Sequence, residues 1–286
     1  MNNAIEVMGV SKRYSSGFEI SNISFEIKKG YITGFIGKNG AGKTTVIKMI
    51  LDILHPDSGN INIFDINTKG RNYNLNEKVG FVIEDMFFPD ELKVKELDIV
   101  AKDIFKNWDS KLFYQYISKF ELPLNSKIKE LSKGMKKKLQ ISFALSYNPK
   151  LLIFDEATSG LDPVIRREIL DIFLEYMKDE ENTIFISTHI TSDLDKIADD
   201  IIMIDNGSIV LRDCFEDIKN EYGILKCSEN IVEKLDKKTI LAKVSTKYHW
   251  EVLINNKNEL LKDNPDYIVE NVDLEKLMFL LSKGRV

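Results

Sequence analysis

The hydrophobic positions of this chain follow two patterns that alternate along its length. Short β-branched runs separate longer segments in which apolar residues recur at helical spacing, and this alternation is typical of an α/β fold rather than an all-β fold. The strands predicted in the first part of the chain are Ile5–Val10, Phe18–Ile27, Tyr31–Gly37, Asn60–Asp65 and Val79–Glu84. The first two resemble antiparallel strands near a sheet edge.

Helical spacing first occurs over Lys43–Leu54, and His55-Pro56-Asp57 ends that segment. From Pro89 to Ser126 the spacing stays helical, with no strand signal. With a helix over Lys133–Tyr147, it predicts a helical subdomain of about residues 89–147. The elements predicted after it are a strand at Leu151–Asp155, a helix at Pro163–Lys178, a strand at Thr183–Ser187, a helix at Ser192–Ala198, and a hairpin of Ile201–Asp205 and Ser208–Arg212 around Asn206-Gly207.

The pattern weakens after Asp213. Weak strand signals at Ile240–Val244, Trp250–Ile254 and Tyr267–Glu270 precede a final helix at Leu274–Ser282. We therefore predict a main domain over residues 1–213 and a small α+β accessory region over residues 214–286, which is the size of a minimal domain.

The composition restricts the classes of function. Lys+Arg 40 against Asp+Glu 45 gives a net charge of -5, which argues against binding to a nucleic-acid backbone, because counterion release needs a basic face. The two cysteines, Cys214 and Cys227, exclude a disulfide-stapled secreted scaffold. No apolar run approaches the ~20 residues that a membrane span needs, and the start of the chain lacks a signal-peptide pattern. A soluble intracellular chain is expected.

One segment has the composition of a phosphate-binding loop. It fits G-x-x-x-x-G-K-[ST] and lies between a predicted strand and a predicted helix, as the motif requires. Its residues are Gly37, Lys38, Asn39, Gly40, Ala41, Gly42, Lys43 and Thr44, followed by Thr45. Glycines let backbone N–H groups turn toward phosphates, and the helix N-terminus adds partial positive charge. We expect Lys43 to reach the β- and γ-phosphates and the Thr44 hydroxyl to bind Mg²⁺.

Two acidic residues follow the apolar run Leu151–Phe154. A carboxylate at the carboxyl edge of a parallel sheet faces the ligand crevice, so Asp155 suits the Mg²⁺ shell. Glu156 is placed to orient or deprotonate an attacking water. The alternative is an ordinary capping pair after a buried strand, and the phosphate loop upstream disfavours it.

Four further motifs occur in order around these two. They are Tyr14 in Ser11-Lys12-Arg13-Tyr14, the run Leu131-Ser132-Lys133-Gly134-Met135, the run Ser159-Gly160-Leu161-Asp162, and His189 in Ser187-Thr188-His189. The six motifs together resemble the ATP-binding cassette (ABC) ATPases, which drive ABC transporters, over about residues 4–215. The expected fold is therefore an α/β P-loop NTPase core with an antiparallel β subdomain, a helical insertion and the C-terminal α+β appendage.

The resemblance implies roles for single residues. Tyr14 would stack on adenine, the 37–45 loop would hold the phosphates of ATP, and Glu156 would act as the base. His189, which in isolation would more often be a core or surface residue, would sense or position the γ-phosphate. Thr44, Glu84 and Asp155 are the implied Mg²⁺ ligands.

The resemblance also implies partners. In the family, two cassettes enclose two ATP molecules head to tail, so Ser132 and Gly134 would contact a γ-phosphate held by the partner's Lys43. Hydrolysis would reopen the dimer and drive transport through separate membrane permease subunits. The chain is thus expected in the cytoplasm, peripheral on the inner face of the membrane, as a homo- or heterodimer, without a nucleic-acid partner.

The chain departs from the family's pattern in two motifs. Glu84 stands where a glutamine is usual, and its negative charge beside the triphosphate predicts slower or more tightly coupled turnover. Cassettes with this glutamate resemble peptide-antibiotic exporters or resistance pumps, which favours export. In the run Leu131–Met135, which resembles the family's signature motif, Lys133 and Met135 replace a glycine and a glutamine. Lys133 either adds a cation near the partner's phosphates or lies in solvent.

Several alternatives remain at this point. Lys136-Lys137-Lys138 favours a solvated helix face over a nucleic-acid contact. Phe87-Phe88 fits a docking anchor for the permease and local core equally well.

An ABC ATPase that acts on DNA would need a long coiled coil, yet only about 90 residues separate Lys43 from Leu131. A ribosome-acting factor would need two cassettes. A regulatory cassette that uses ATP as a switch is disfavoured by Glu156 and His189 but not excluded. The C-terminal region is assigned to dimer contacts or regulation.

Overall fold

The computed structural model describes residues 3–70, 77–83, 88–156 and 158–285. Its strands, numbered along the chain, are β1 (Asn3–Arg13), β2 (Glu19–Lys28), β3 (Ile32–Ile36), β4 (Ser58–Ile63), β5 (Ile66–Asn67), β6 (Val79–Val82), β7 (Leu151–Asp155), β8 (Thr183–Thr188), β9 (Asp200–Asp205), β10 (Ser208–Cys214), β11 (Gly223–Cys227), β12 (Ile240–Ser245), β13 (Trp250–Ile254) and β14 (Val269–Asn271).

The helices are α1 (Lys43–Ile50), α2 (Glu96–Ile104), α3 (Ser110–Lys119), α4 (Lys133–Leu145), α5 (Pro163–Tyr176), α6 (Thr191–Leu194), α7 (Phe215–Glu221), α8 (Glu229–Val232), α9 (Lys257–Asp263) and α10 (Leu274–Gly284). A short 3₁₀ helix spans Ile128–Glu130. None of the helices in these described ranges is long and apolar enough to cross a membrane.

A six-stranded sheet forms the centre of the molecule, in the order β10-β9-β3-β8-β7-β6. The strands from β9 to β6 pair in parallel. Every residue of β3, β7 and β8 is buried, which explains their nearly continuous apolar sequence, since a parallel sheet is covered on both faces. Their carboxyl ends meet at one edge, where ligands bind in such sheets. The predicted P-loop NTPase core is confirmed.

The antiparallel β subdomain is confirmed as well. It is a four-stranded sheet in the order β2-β1-β4-β5, with β2 at one edge. The predicted hairpin around Asn206-Gly207 joins β9 to β10. Both turn residues have positive φ, 45° and 75°, as the tight hairpin turn requires.

The first helix is shorter than its sequence pattern predicted. It ends at Ile50 rather than Leu54 because Asp52 adopts a left-handed conformation, with φ of 56°. The Ile53 N–H then donates to the Lys48 carbonyl at 2.9 Å and the Asp52 N–H to the Met49 carbonyl at 3.2 Å. These two bonds form a Schellman motif, which ends the helix before Pro56 is reached.

The helical insertion contains α2, α3 and α4, as the spacing predicted. Phe113 and Ile117 of α3 are buried against α4, where Phe143 lies. The ring of Phe88 is 5.0 Å from that of Phe143, and Phe88, which is partly buried, packs against the local core. Phe87 lies outside the described residues.

The helix predicted over Ser192–Ala198 is a single turn, α6, followed by further turns. Beyond Leu194 the backbone tightens, because the Lys196 and Ile197 N–H groups donate to carbonyls three residues back, at 3.3 and 3.1 Å. Such i→i−3 bonds are typical of the last turn of a helix.

The C-terminal region forms a third sheet, antiparallel, in the order β12-β13-β11-β14. The strands predicted near residues 240, 250 and 267 are present, the last displaced to Val269–Asn271, and the final helix extends to Gly284. Four elements were not predicted, namely α7, β11, α8 and α9. The boundary placed after residue 213 falls inside β10 and stays a prediction.

The C-terminal sheet packs on both faces. One face covers a small core of its own, which includes Leu225, Val252 and Ile254. The other face shares the large core of the main sheet through α10, whose Leu277 and Leu280 are fully buried in the same cluster as Leu194 of α6. The region therefore rests directly on the segment that follows β8.

Candidate functional site

A cleft of about 710 Å³ opens at the carboxyl edge of the parallel strands. The phosphate loop and the start of α1 form one part of its lining. Other parts come from the aromatic segment after β1, from the loops after β7 and β8, and from the first turns of α4. Most of the motifs that the sequence singled out are thus brought to one cavity.

Close packing leaves no room for a side chain at two glycines of the phosphate loop. A Cβ on Gly42, whose φ is 113°, would lie 2.4 Å from the Ile20 Cδ1 atom, and one on Gly37 would lie 2.4 Å from the Ile204 carbonyl oxygen. The Ala41 N–H donates to the Lys38 carbonyl at 3.1 Å, which closes the turn. Asn39, Gly40, Gly42, Thr44 and Thr45 line the cleft, whereas Gly37, Lys38 and Ala41 do not.

Lys43 begins α1 and points back into the loop. Its side chain is only 6% exposed, and its ammonium donates to the carbonyls of Gly37 at 2.8 Å and Lys38 at 3.3 Å. The same nitrogen lies 3.5 Å from Glu156 Oε1. A cation held in this way at a helix N-terminus is placed to neutralise an anion at the loop.

Two hydroxyl groups contact a buried carboxylate next to the phosphate loop. The Thr44 hydroxyl donates to Asp155 Oδ2 at 2.7 Å, and the Ser187 hydroxyl donates to Asp155 Oδ1. Asp155 is 1% exposed. Within the described ranges no group of three or more His, Cys, Asp or Glu residues is arranged to hold a metal. The pair Thr44 and Asp155 nevertheless fits Mg²⁺, which takes hard oxygen ligands and is usually held by one or two carboxylates together with substrate phosphates.

Glu156 and His189 face each other across the loops after β7 and β8. His189 Nδ1 lies 2.7 Å from Glu156 Oε2, and both residues line the cleft. Glu156 has a φ of 53°, a left-handed conformation that is uncommon outside glycine and concentrates at functional sites. The Glu156 N–H donates to the Ser187 carbonyl at 3.1 Å, which anchors this turn to the neighbouring strand.

Tyr14 lies at the mouth of the cleft, after the end of β1. It is 36% exposed, its N–H donates to the Phe18 carbonyl at 2.9 Å, and the two rings are 6.2 Å apart. Phe18 and Ser16 also line the cleft and were not predicted. The signal for Phe18 is a second aromatic residue within the turn that Tyr14 begins.

The signature residues lie at the start of α4. Ser132 caps the helix by accepting the Met135 N–H at 3.2 Å. A Cβ on Gly134 would contact Leu161 and Ile165, each at 3.6 Å, so the helix start packs on the segment before and within α5. Ser132 and Gly134 do not line the cleft of their own chain, whereas Lys133 and Lys137 do.

Two further residues connect the loops of the site: Asp162 ends the motif that the sequence singled out but had no assigned role, and Arg166 was not predicted. Asp162 caps α5 by accepting the Val164 and Ile165 N–H groups. Arg166, one turn later, lies 2.5 Å from Asp193 of α6. This ion pair joins the helix after the Ser159–Asp162 motif to the turn after His189.

Glu84 lies outside the described residues. Its assignment as a Mg²⁺ ligand therefore stays a prediction.

Comparisons with known proteins agree on one family. The family model described as "ABC transporter" matches residues 20–159. The bacitracin transport ATP-binding protein BcrA of Bacillus licheniformis is 32% identical over 221 residues, which cover 77% of this chain and 72% of the relative. An uncharacterised ABC transporter ATP-binding protein of Methanocaldococcus jannaschii is 31% identical over 283 residues, 96% of this chain and 100% of the relative. The match to that protein thus includes most of the C-terminal region.

Solved structures agree with the sequence relatives. A structure described as the ATP binding subunit of an ABC transporter superposes with a TM-score of 0.67 at 26% identity, and covers 76% of this chain and 92% of that chain. The main part of the chain therefore has the fold of an ATP-binding cassette.

Proposed function

Since the chain belongs to the ABC transporter family as an ATP-binding, ATP-hydrolysing subunit, we propose that it powers export through separate membrane subunits with the residues gathered in its cleft. The observation that carries this proposal is the convergence of two motifs, the phosphate loop and the acidic pair, at one sheet edge. Lys43 lies 3.5 Å from Glu156 there, and Thr44 donates to Asp155 at 2.7 Å, an arrangement that suits phosphoryl transfer.

The phosphate loop binds the phosphates of ATP through its inward N–H groups and the Lys43 ammonium. Lys43 already faces the loop carbonyls at 2.8 and 3.3 Å, which supports a role in contacting the β- and γ-phosphates. Tyr14, partly exposed at the mouth, offers its ring to adenine.

Thr44 and Asp155 are the described residues that would hold Mg²⁺. The ion would supply positive charge beside the phosphates and so neutralise the charge that develops there in the transition state. Ser187 orients Asp155 through its hydroxyl, and this second contact keeps the carboxylate directed at Thr44.

Glu156 orients the attacking water and accepts its proton. Its Oε2 atom faces His189 at 2.7 Å and its Oε1 atom faces Lys43 at 3.5 Å. The carboxylate therefore lies between the Lys43 ammonium and the His189 ring. His189 holds Glu156 in place and reaches toward the γ-phosphate. General-base assistance of this kind contributes about 10²–10⁴-fold in rate.

The partners proposed for this chain follow from its relatives. A second cassette would complete each site with Ser132 and Gly134, and a permease subunit would transmit the motion, which places the chain on the inner face of the membrane. Transport is supported by the bacitracin transport ATP-binding proteins of Bacillus licheniformis and Enterococcus faecalis, the second 34% identical over 214 residues. Export is supported by the Nod factor export ATP-binding protein I of Burkholderia orbicola, 31% identical over 209 residues.

Phosphate release from ATP, measured for the wild type and for Glu156→Gln, tests the catalytic assignment. The substitution keeps the hydrogen-bonding shape of the side chain and removes its basicity, so turnover should fall by at least about 10²-fold while ATP still binds. ATP binding without turnover in either protein would favour the regulatory cassette instead. The direction of transport is tested by the neighbouring genes, since a six-helix permease supports export and a periplasmic-type binding protein contradicts it.

A further inference from the structure

A buried ion pair connects helix α5 to the turn that follows His189. The Arg166 Nη2 atom donates to Asp193 Oδ1 at 2.5 Å, and the Arg166 Nε atom donates to Asp193 Oδ2 at 3.3 Å. Two parallel bonds of this kind fix the orientation of an arginine–carboxylate pair as well as its distance. The Asp193 side chain is 4% exposed. Because a buried carboxylate is costly unless it is paired, the position of Arg166 determines where Asp193 can lie.

The Asp193 side of the pair has little structure of its own. Helix α6 has four residues, and a helix this short is not stable through its own hydrogen bonds. It begins two residues after His189. The Asp193 N–H donates to the Ile190 carbonyl at 3.3 Å, so Asp193 closes the turn that follows the histidine. A displacement of Asp193 would therefore move the backbone that carries His189.

The Arg166 side of the pair belongs to a well-packed helix. Helix α5 has 14 residues, and four of them are buried in the core, namely Ile169, Leu170, Ile172 and Phe173. The Arg166 N–H donates to the Asp162 carbonyl at 3.0 Å, which places the arginine in the first turn. The adjacent Ile165 packs toward helix α4, where its Cδ1 atom is 3.6 Å from the point that a Cβ on Gly134 would occupy. Arg166 is thus anchored on both sides, whereas the turn after His189 is not.

The position of that turn matters because of Glu156. His189 Nδ1 lies 2.7 Å from Glu156 Oε2, and a displacement of about 1 Å would take the two atoms beyond hydrogen-bond distance. Neither Arg166 nor Asp193 lines the cleft, whereas His189 and Glu156 do. Any effect of the ion pair on turnover must therefore act through residues such as His189 that do line the cleft.

We propose that Arg166 is a positioning residue for ATP hydrolysis, which holds His189 against Glu156 by way of Asp193. This inference rests on the roles proposed above for Glu156 and His189. Arg166 acts from outside the cleft, by fixing the turn after β8 relative to α5. Loss of the ion pair should therefore slow hydrolysis and leave ATP binding at the phosphate loop almost unchanged.

Phosphate release and ATP affinity, measured for Arg166→Gln, test this role. The kcat should fall about 10- to 100-fold, as for a catalytic group misplaced by about 1 Å, while KM and ATP affinity stay within about 2-fold. Arg166→Lys keeps the charge but loses the two parallel bonds, so it should recover part of the loss. Arg167→Gln, at the adjacent exposed position of α5, is the matched control and should change kcat less than about 2-fold. An unchanged kcat in Arg166→Gln, or equal losses in the two glutamine variants, would overturn the proposal.

A double variant separates loss of the pair from the cost of an unpaired charge. Arg166→Gln leaves the buried Asp193 carboxylate without its cation, which lowers stability by itself. Arg166→Gln combined with Asp193→Asn removes both charges, so this protein should fold and should be as slow as Arg166→Gln. Turnover restored to the wild-type value would show that the unpaired carboxylate caused the loss, and would overturn the proposal.

The NMR signals of the histidine rings report the position of His189 without nucleotide. The chain has three histidines, and the His189 signal is identified by its absence in His189→Ala. Arg166→Gln should shift this signal, whereas the signal of His55, whose ring lies 3.0 Å from Asp52, should stay in place. An unmoved His189 signal would overturn the proposal. A wild type without turnover in which the signal still moves would contradict the proposed hydrolysis and support the positioning of His189.

Discussion

The nucleotide cleft and the C-terminal region are held together by different forces. In the cleft, buried charges pair through short polar contacts, as with Thr44, Asp155 and Ser187 beneath the loop. In the C-terminal region, α10 buries a row of leucines, among them Leu277 and Leu280, against the main core. Buried polar networks cost desolvation and are kept for what they do, whereas buried apolar area stabilises the fold. Substitutions in the cleft should therefore mainly lower activity, whereas substitutions in the C-terminal region should mainly lower stability.

The two regions meet at α6, directly after His189. Leu194 of that helix packs in the cluster that contains Leu277, and Asp193 pairs with Arg166 of α5 at 2.5 Å. The segment that carries His189 thus has apolar support on one side and ionic support on the other. Variants on each side can test whether the separation of activity from stability holds.

The largest effect is expected in the cleft, from Asp155→Asn. Replacing the carboxylate removes an anionic oxygen from the proposed Mg²⁺ site, so turnover should fall on the order of 10³-fold, about 4 kcal/mol in activation free energy. The free energy of unfolding without nucleotide should change by less than about 1 kcal/mol, because the amide retains hydrogen-bonding capacity toward both hydroxyls. Phosphate release and urea unfolding measure the two quantities. A large loss of stability with little loss of turnover would contradict the expectation that cleft residues serve activity rather than stability.

The complementary variant is Leu277→Ala in α10. Leu277 is fully buried, and truncation of a buried leucine leaves a cavity that costs about 3 kcal/mol. Turnover per folded molecule should stay near the wild-type value. Phe279→Ala, on the same helix where the ring is 43% exposed, is the control and should cost less than about 1 kcal/mol. If Leu277→Ala lowers turnover of fully folded protein, α10 helps to position His189 and the two regions are coupled.

The sequence predicted the nucleotide cleft better than it predicted the C-terminal region. The phosphate loop and the strand before Asp155 were predicted because their chemistry is carried by consecutive residues. The end of α1 was not, because it depends on the left-handed conformation of Asp52 and two backbone hydrogen bonds, which leave no mark on the apolar period. β11 was missed because Gly223 and the exposed Lys226 interrupt a run of only five residues. Lys137 required tertiary structure, since only the packing of α4 against the Ser159–Asp162 segment places it in the cleft.

Two helix caps give a matched pair with a smaller effect. Asp162 caps α5 beside the cleft, and Asp273 caps α10 by accepting the Lys276 N–H at 2.7 Å. Replacing either by alanine should lower the free energy of unfolding by about 1 kcal/mol. Only Asp162→Ala should also lower turnover, because its helix start packs against the signature helix at Gly134. Equal turnover in the two variants would show that the loop before α5 keeps its position without the cap.

The smallest effect is expected from Asp195→Asn, in the turn after α6. Desolvation, followed by repulsion from Asp273, raises the pKa of Asp195 above its ordinary value of 3.8, against the attraction of Lys219 and Lys196. Because the folded pKa lies above the unfolded one, the group favours folding fully below the unfolded pKa and loses this contribution as pH rises through the folded pKa. At pH 7 the ionised carboxylate therefore disfavours the fold.

The exposure of Asp195 to solvent screens the effect, so the Asp195→Asn variant should be more stable by less than about 0.5 kcal/mol at pH 7. That gain should vanish below about pH 3.5, where the wild-type carboxyl is protonated in both states. Urea unfolding at both pH values measures the difference, and a gain that persists in acid would show that the ionised carboxylate is not its cause.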